Sequence, residues 1–228
     1  MDCHPLALVN ERIVNCRRCP RLVEHRERVA HEKKREFRDW DYWGRPVPSW
    51  GDPDARLLII GLAPAAHGGN RTGRIFTGDS SGDWLYRALH KAGFANRPAS
   101  KYRGDGLALN DCYITATIHC APPDNKPLPV EIVNCRGYLA EEMHLLKRVR
   151  VVVALGRIAF EHYLRTIERL GTAIAKPRPQ FAHCLVHELS NGQRLIASYH
   201  PSRQNTNTGK LTEPMLDAVF ALARQTLD

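Results

Sequence analysis

The sequence predicts an α/β fold, in which a central parallel sheet of about four strands is covered by helices on both faces as a three-layer α/β/α arrangement. Two observations predict it: short apolar, β-rich runs recur along the chain, and helical patterns lie between them. Strands that alternate with helices imply parallel pairing, because each parallel connection needs a crossover. No linker or low-complexity block divides the 228 residues, which favours a single domain over 1–228.

Four apolar runs have the length of buried parallel strands. They are 55–61, 112–118, 149–156 and 194–199. Helical patterns occupy about 80–93, 129–147, 157–169 and 212–227. A charged, broadly helical segment at 9–38 precedes them all. In such sheets the ligand crevice lies outside the carboxyl ends of the strands, so the loops after Ile60, Ile118 and Tyr199 are expected to converge.

The overall charge is basic. Lys and Arg number 33 against 24 Asp and Glu, a formal net charge of +9, which favours a polyanionic partner such as nucleic acid. No apolar run approaches the ~18 residues of a membrane span, and the N-terminus lacks a basic region followed by an apolar stretch. We therefore expect a cytoplasmic protein with reduced thiols and no membrane partner.

Four cysteines predict a metal centre. Cys16 and Cys19 form a C-x-x-C, and Cys120 and Cys135 follow about a hundred residues later. Four thiolates complete a closed site for either zinc or an iron–sulfur cluster, and the spacing alone leaves both metals open. Such a centre would tie an N-terminal extension to the sheet.

Three loops contain the least ordinary residues. The first reads GLAPAAHGGNRTGRIFTGD from Gly61, the second CAPPDNKP from Cys120, and the third HPSRQN from His200. With the four cysteines, these loops resemble the motifs of the uracil-DNA glycosylase superfamily, most closely its iron–sulfur family 5, over residues 16–217. The resemblance implies a monomeric repair enzyme that cleaves the bond between a damaged base and deoxyribose and leaves an abasic site. It also implies a structural 4Fe-4S cluster on the four cysteines and no nucleotide cofactor.

The reaction leaves a positive sugar and a negative base, and three residues are candidates for stabilising them. Asp79 takes the carboxylate role by resemblance, because the first loop begins GLAPA without carboxylate or amide; alternatively Asp79 only caps a helix from about Ser80. His200 would donate a hydrogen bond to a uracil carbonyl, unless it is a histidine satisfied within a strand-end turn. Asn125 would bind the base or the attacking water, unless it only fixes the Pro-rich turn.

The pocket for the extruded base is assigned to the first loop. Phe76 would stack on the base, although core packing is the ordinary role of such a residue. His200 and Asn125 would also contact the base. The small residues of the first loop would leave room for it, and the loop residues assigned to substrate binding are Gly61, Leu62, Ala63, Pro64, Ala65, His67 and Gly68. Ala116 stands where family 4 relatives read uracil with an Asn, which predicts relaxed selectivity towards hypoxanthine, xanthine or ethenocytosine.

The third loop is expected to lie along DNA. Ser202, Arg203, Gln204 and Asn205 would support the gap left by the flipped base, and Arg71 and Arg74 would contact phosphates, unless they form an ordinary solvated basic surface. Two other functions stay open. One is a non-catalytic zinc-containing module that binds nucleic acid. The other is a phosphate-handling enzyme, although the glycine-rich loop lacks the P-loop pattern.

Overall fold

A six-stranded sheet forms the centre of the molecule. The computed structural model describes residues 4–228. The strands are β1 Trp50–Gly51, β2 Leu57–Gly61, β3 Cys112–Ala116, β4 Val151–Leu155, β5 Val186–Glu188 and β6 Arg194–Ser198, in the order β1-β3-β2-β4-β6-β5. The four central strands are parallel, and both edge strands are antiparallel. The predicted parallel sheet is confirmed; the two edge strands, of two and three residues, are too short to be predicted from patterning.

Helices connect the parallel strands as the sequence predicts. They are α1 Pro5–Val14, α2 Pro20–Glu32, α3 Gly69–Thr72, α4 Ser80–Lys91, α5 Pro129–Leu145, α6 Arg157–Arg169, α7 Arg203–Asn207 and α8 Glu213–Leu227. The segment predicted as broadly helical is two helices, each with proline in its first turn, where the missing N–H costs nothing. In the part of the chain that the structure describes, no helix has the length and hydropathy needed to span a bilayer.

The sheet separates two hydrophobic cores. Leu57 and Ile59 of β2 face a core shared with α4 and α8, whereas Leu58 and Ile60 face a core shared with α5 and α6. This alternation is the period of two that places successive side chains on opposite faces of a sheet. The three-layer α/β/α arrangement is therefore confirmed.

A third, smaller cluster joins the N-terminal helices to the sheet. It combines Val9 and Ile13 of α1 and Leu22 of α2 with Cys120 and Cys135. The N-terminal extension therefore packs against the segment after β3 and against α5.

The loops after β2 and β6 begin at the same end of the sheet. Main-chain pairing continues past the strands, since Thr117 N donates to Gly61 O over 2.9 Å and Gly156 N donates to Ser198 O over 2.7 Å. These bonds fix the points at which the first and third loops leave the sheet.

Candidate active site

Asp79 uses one of its two carboxylate oxygens to cap a helix. It is the N-cap of α4, and Oδ1 accepts hydrogen bonds from the Ser81 and Gly82 amides over 2.9 and 3.1 Å. Oδ2 lies against Gly68, where an added Cβ would stand only 2.1 Å away, and has no hydrogen-bond partner within residues 4–228. Burial raises the pKa of Asp79 against the opposing effect of the two amides. Capping is therefore the observed role of Oδ1, whereas Oδ2 accepts no hydrogen bond from the residues that the structure describes.

Phe76 lies between Gly61 and His200. Its ring rests on Gly61, where a Cβ would come within 2.8 Å of two ring carbons, and its centroid is 5.8 Å from that of the His200 ring. Phe76 is only 7% exposed and also belongs to the core on the α4 side of the sheet. Its backbone φ of 54° lies in the left-handed region that few non-glycine residues adopt. Such strain at a loop residue is common where a side chain is aimed at a ligand.

His200 is held by its backbone and leaves its ring free. Its carbonyl accepts a hydrogen bond from Asn205 Nδ2 over 2.8 Å, while the ring nitrogens have no partner among the residues that the structure describes. Burial lowers the pKa of His200 to about 4, so the imidazole is neutral at neutral pH. The residue lines a cavity of about 380 Å³ together with Leu62, Tyr199 and Asn205.

Two contacts join the first and third loops. One is the approach of the Phe76 and His200 rings, and the other is a hydrogen bond of 3.2 Å from Arg203 Nε to Ser80 Oγ, next to Asp79. Phe76 and Asp79, which precede His200 by more than a hundred residues of sequence, are thus placed with it at one end of the sheet.

The four cysteines lie in one cluster. Cys120 and Cys135 are buried, while Cys16 and Cys19 pack at its edge half-buried. Burial raises the pKa of Cys120 to about 11 and that of Cys135 to about 12, and the neighbouring thiols act in the same direction. Thiols with raised pKa values keep their protons at neutral pH, and a metal cation that binds the two sulfurs displaces those protons.

The cluster also contains N–H donors aimed at sulfur. Arg26 Nη1 lies 3.1 Å from Cys120 Sγ, and Asn134 Nδ2 lies 3.4 Å from Cys19 Sγ. Within residues 4–228, no group of three or more His, Cys, Asp or Glu side chains is placed to hold one metal ion. By donor chemistry, four clustered thiols with N–H donors aimed at two of their sulfurs fit a metal–thiolate centre of either kind, zinc or an iron–sulfur cluster.

Comparison with known proteins identifies the family. The family model for the uracil DNA glycosylase superfamily matches residues 48–224. A type-5 uracil-DNA glycosylase of Mycobacterium bovis is 52% identical over 218 residues, which cover 95% of this chain and 80% of that protein. The chain belongs to the type-5 family of uracil-DNA glycosylases. A type-5 protein of Thermus thermophilus is 50% identical over 92% of this chain and 93% of its own length, whereas a type-4 protein of Archaeoglobus fulgidus is 26% identical over 83% and 78%.

Arg71 and Arg74, which were predicted to bind DNA, make their hydrogen bonds within the protein. Arg71 is 4% exposed and donates to the His67 and Gly78 carbonyls over 2.7 and 2.9 Å. Arg74 is 6% exposed and pairs with Asp105 over 2.7 Å. Both guanidinium groups are buried and make their hydrogen bonds inside the protein, which favours an internal role over the predicted phosphate contacts. They fix the conformation of the first loop instead.

Asn125 is not brought to Asp79 or His200 by any hydrogen bond within residues 4–228. It is exposed, and its amide N–H closes a turn onto Pro122 O over 3.2 Å. Its φ of 56° is a left-handed conformation that asparagine tolerates well. The geometry therefore favours the turn-forming alternative, and the catalytic assignment stays a prediction.

Of the other predicted residues, some support the loops and others are exposed to solvent. Ser202 caps α7, and Asn205 holds the His200 carbonyl, so both support the third loop, whereas Arg203 and Gln204 are exposed. In the first loop, His67 Nδ1 lies 3.0 Å from Tyr42 Oη, and burial lowers the pKa of His67. The remaining first-loop residues, Leu62, Ala63, Pro64 and Ala65, form the irregular segment between β2 and the turn at 66–68.

Gly156 was not among the predicted site residues. It lines the cavity at a φ of 97°, and an added Cβ would come within 3.4 Å of His200 Cβ. The available signal was a glycine between a β-rich run and a helix, at the end of the sheet where the site was expected.

Proposed function

We propose that the chain hydrolyses the N-glycosidic bond of uracil in DNA and leaves an abasic site. The observation that carries this proposal is the pairing of a desolvated carboxylate with a free oxygen, on Asp79, and a neutral imidazole with a free ring, on His200, at one end of the sheet. Type-5 relatives with about half their residues identical are named for this activity.

The two groups would oppose the two charges of the transition state. The free oxygen of Asp79 would face the oxocarbenium-like sugar and orient water, and its raised pKa suits a group that takes up a proton from that water. The His200 ring, neutral because its pKa is about 4, would donate a hydrogen bond to the departing base as its negative charge grows.

Binding would require extrusion of the base from the helix. Phe76 would then stack on the base, since an aromatic face contributes about 1–3 kcal/mol per stacked base. Gly61 leaves the space beneath the ring of Phe76 that any side chain would fill.

The deciding experiment uses end-labelled oligonucleotides that carry uracil, hypoxanthine or no lesion, incubated with the protein and then treated with alkali. Strand scission confined to lesion-bearing strands is the expected result. Binding of every oligonucleotide without scission of any would point instead to a non-catalytic nucleic-acid-binding protein.

We also propose that bases other than uracil are accepted. Ala116 is buried at the end of β3, directly beside Gly61 in the strand register, and its methyl group offers no amide to read uracil. Hypoxanthine, xanthine and ethenocytosine would then be released as well. In the Ala116→Asn variant, the ratio of kcat/KM for uracil to that for hypoxanthine should rise; a constant ratio would remove Ala116 from base selection.

The four cysteines would hold a structural 4Fe-4S cluster. Cys16, Cys19, Cys120 and Cys135 would each ligate one iron, and the cluster would contribute folding stability rather than electron transfer. Cys120→Ser is expected to lose the brown colour of the purified protein and to unfold at lower temperature, whereas Cys112→Ser, at a buried cysteine of the sheet, should keep the colour. A wild-type protein without iron would refute the assignment.

Arg203 and Gln204 would contact the DNA backbone, with the protein acting as a monomer. Replacing Arg203 by Gln should lower the slope of log K against log salt by about 1, as expected for one lost phosphate contact. Arg165→Gln, at an exposed position of α6, is the matched control. Equal slopes for the two variants would exclude Arg203 from the DNA contact.

A further inference from the structure

Arg26 of α2 is a buried cation whose side chain reaches a cysteine. It is 2% exposed, and Nη1 donates to Cys120 Sγ over 3.1 Å and to the Cys16 carbonyl over 3.3 Å. Its nearest carboxylate, on Glu27, is 3.6 Å away, 45% exposed and also paired with Arg17. Arginine cannot shed its charge, and a buried charge needs a compensating one. A metal centre with four thiolate ligands carries net negative charge and would supply the compensating charge next to the guanidinium.

The backbone of Arg26 makes a second connection, towards the first loop. Its carbonyl accepts a hydrogen bond from Asn70 Nδ2 over 3.1 Å, and Asn70 is fully buried. The Asn70 backbone is held in turn, because its N–H donates to Ala65 O over 3.0 Å and its carbonyl accepts from Gly44 N over 3.1 Å. The side chain of Asn70 therefore fixes the loop on α2.

The loop fixed in this way touches the free carboxylate oxygen. Gly68, two residues before Asn70, lies so close to Asp79 that an added Cβ would be 2.1 Å from Oδ2. Since a misplacement of about 1 Å can cost about 10²-fold in rate, small shifts of this loop would alter the surroundings of Oδ2.

We infer that Arg26 is a positioning residue that stabilises the anionic four-cysteine centre through its guanidinium and holds the Gly68–Asp79 contact through its carbonyl and Asn70. The second half of this inference rests on the proposed function. It gives a physical route by which a centre that takes no part in the reaction affects the reaction rate.

The side-chain half is tested by metal retention in the purified full-length protein. Arg26→Met should release its metal to a chelator about 10-fold faster or more, the usual size of an effect from a group that hydrogen-bonds a metal ligand. Arg26→Lys should release its metal at an intermediate rate, because lysine keeps the positive charge but lacks the planar guanidinium donor. Arg12→Met, which removes an exposed arginine of α1, is the control for loss of charge.

The measured quantities are iron and zinc per chain and the release rate. Equal rates for Arg26→Met and Arg12→Met would overturn this half, and so would a wild-type protein that contains no metal. Should Arg26→Met fail to fold, the comparison of Arg26→Lys with the wild type decides, and an unchanged release rate there counts against the inference.

The backbone half is tested with Asn70→Ala, and Asn10→Ala of α1 is its matched control. Asn70→Ala should keep its metal, lose about 10-fold in kcat at little change in KM, and exchange the amide hydrogens of residues 65–72 faster. Asn10→Ala should change none of these. Unchanged exchange in Asn70→Ala would overturn the inference, and because exchange does not depend on substrate, that result is distinct from a failure of the proposed function.

Discussion

The aspartates at the two ends of the parallel strands have opposite electrostatic surroundings. At the amino end, Asp111 accepts hydrogen bonds from Arg56 N, Nε and Nη2 over 2.8, 2.9 and 2.6 Å, and Arg224 lies 3.5 Å away. Partial burial acts to raise the pKa of Asp111, but the hydrogen bonds from Arg56 outweigh it and lower the pKa. At the carboxyl end, Asp79 accepts hydrogen bonds from two backbone amides and from no other group within residues 4–228, and burial raises its pKa.

The two aspartates differ in how far their surroundings stabilise the charged carboxylate. A carboxylate paired with arginine is stabilised in its charged form and has little tendency to take a proton. A carboxylate buried beside glycine and without a hydrogen-bonded cation is destabilised in that form, which suits a group that acts on water or on a sugar cation. The same sheet therefore has an ion-paired aspartate at one end and, at the other, the aspartate proposed to be reactive.

Asp79→Asn should produce the largest effect. The amide retains an oxygen to cap α4 but loses the charge, so the single-turnover rate on uracil-containing DNA should fall by about 10³-fold while DNA binding persists. Because the pKa of Asp79 is raised, the charged form opposes folding at neutral pH, and the variant should melt no lower than the wild type. A near-normal rate would mean that Asp79 is a cap and nothing more.

His200→Ala should cost about 10²-fold in the rate of base release, the usual effect of losing one preorganised donor. Since the pKa of His200 is about 4, its titration should not shape the rate between about pH 6 and 8. His187→Ala, on the edge strand β5, is the control and should leave the rate unchanged. Equal rates for the two variants would remove His200 from the mechanism.

Asp111→Ala should have the opposite effect to Asp79→Asn, since the protein should lose stability but keep its rate of base release. Its removal leaves Arg56 without its charged partner, at a cost of about 2 kcal/mol in the free energy of unfolding, as is typical for hydrogen bonds to charged groups. Urea unfolding measures that cost, and the rate per folded molecule should match the wild type. A fall in rate comparable to that of Asp79→Asn would contradict the division between the two ends.

The smallest effect is on the pH dependence of stability. Because its folded-state pKa is lowered, Asp111 contributes stability above its unfolded pKa near 4 and loses it as pH falls through the folded value. Asp79 has the opposite sign, since a raised pKa means that stability is gained as pH falls through that value. From pH 7 to about 3, the free energy of urea unfolding should therefore fall less steeply in Asp111→Asn and more steeply in Asp79→Asn than in wild type. Parallel profiles for all three proteins would contradict the pKa assignments.

Patterning along the chain predicted the central sheet and the helices that cover it. The run at 55–61 became β2 and the pattern at 157–169 became α6, because buried strands and amphipathic helices are marked by periods that short segments carry themselves. The edge strands β1 and β5 were missed, since two or three residues have no period to read.

The roles of individual polar residues depended on partners far away in sequence. Arg71 and Arg74 lie in a glycine-rich, basic loop of the kind that binds phosphate, yet packing buries both side chains. Asp79 matched both the cap and the catalytic pattern, and only the position of Gly68 shows that its two oxygens are used differently.

The sequence by itself determined the layered α/β arrangement, the four cysteines and the loops that hold Asp79 and His200. The tertiary structure alone decided which charges are paired and which are left free, as in the contact of Arg26 with Cys120 across 94 positions of the chain. The physical reason is that periodicity and capping act within a few residues, whereas burial and charge pairing are set by whichever distant segments come into contact.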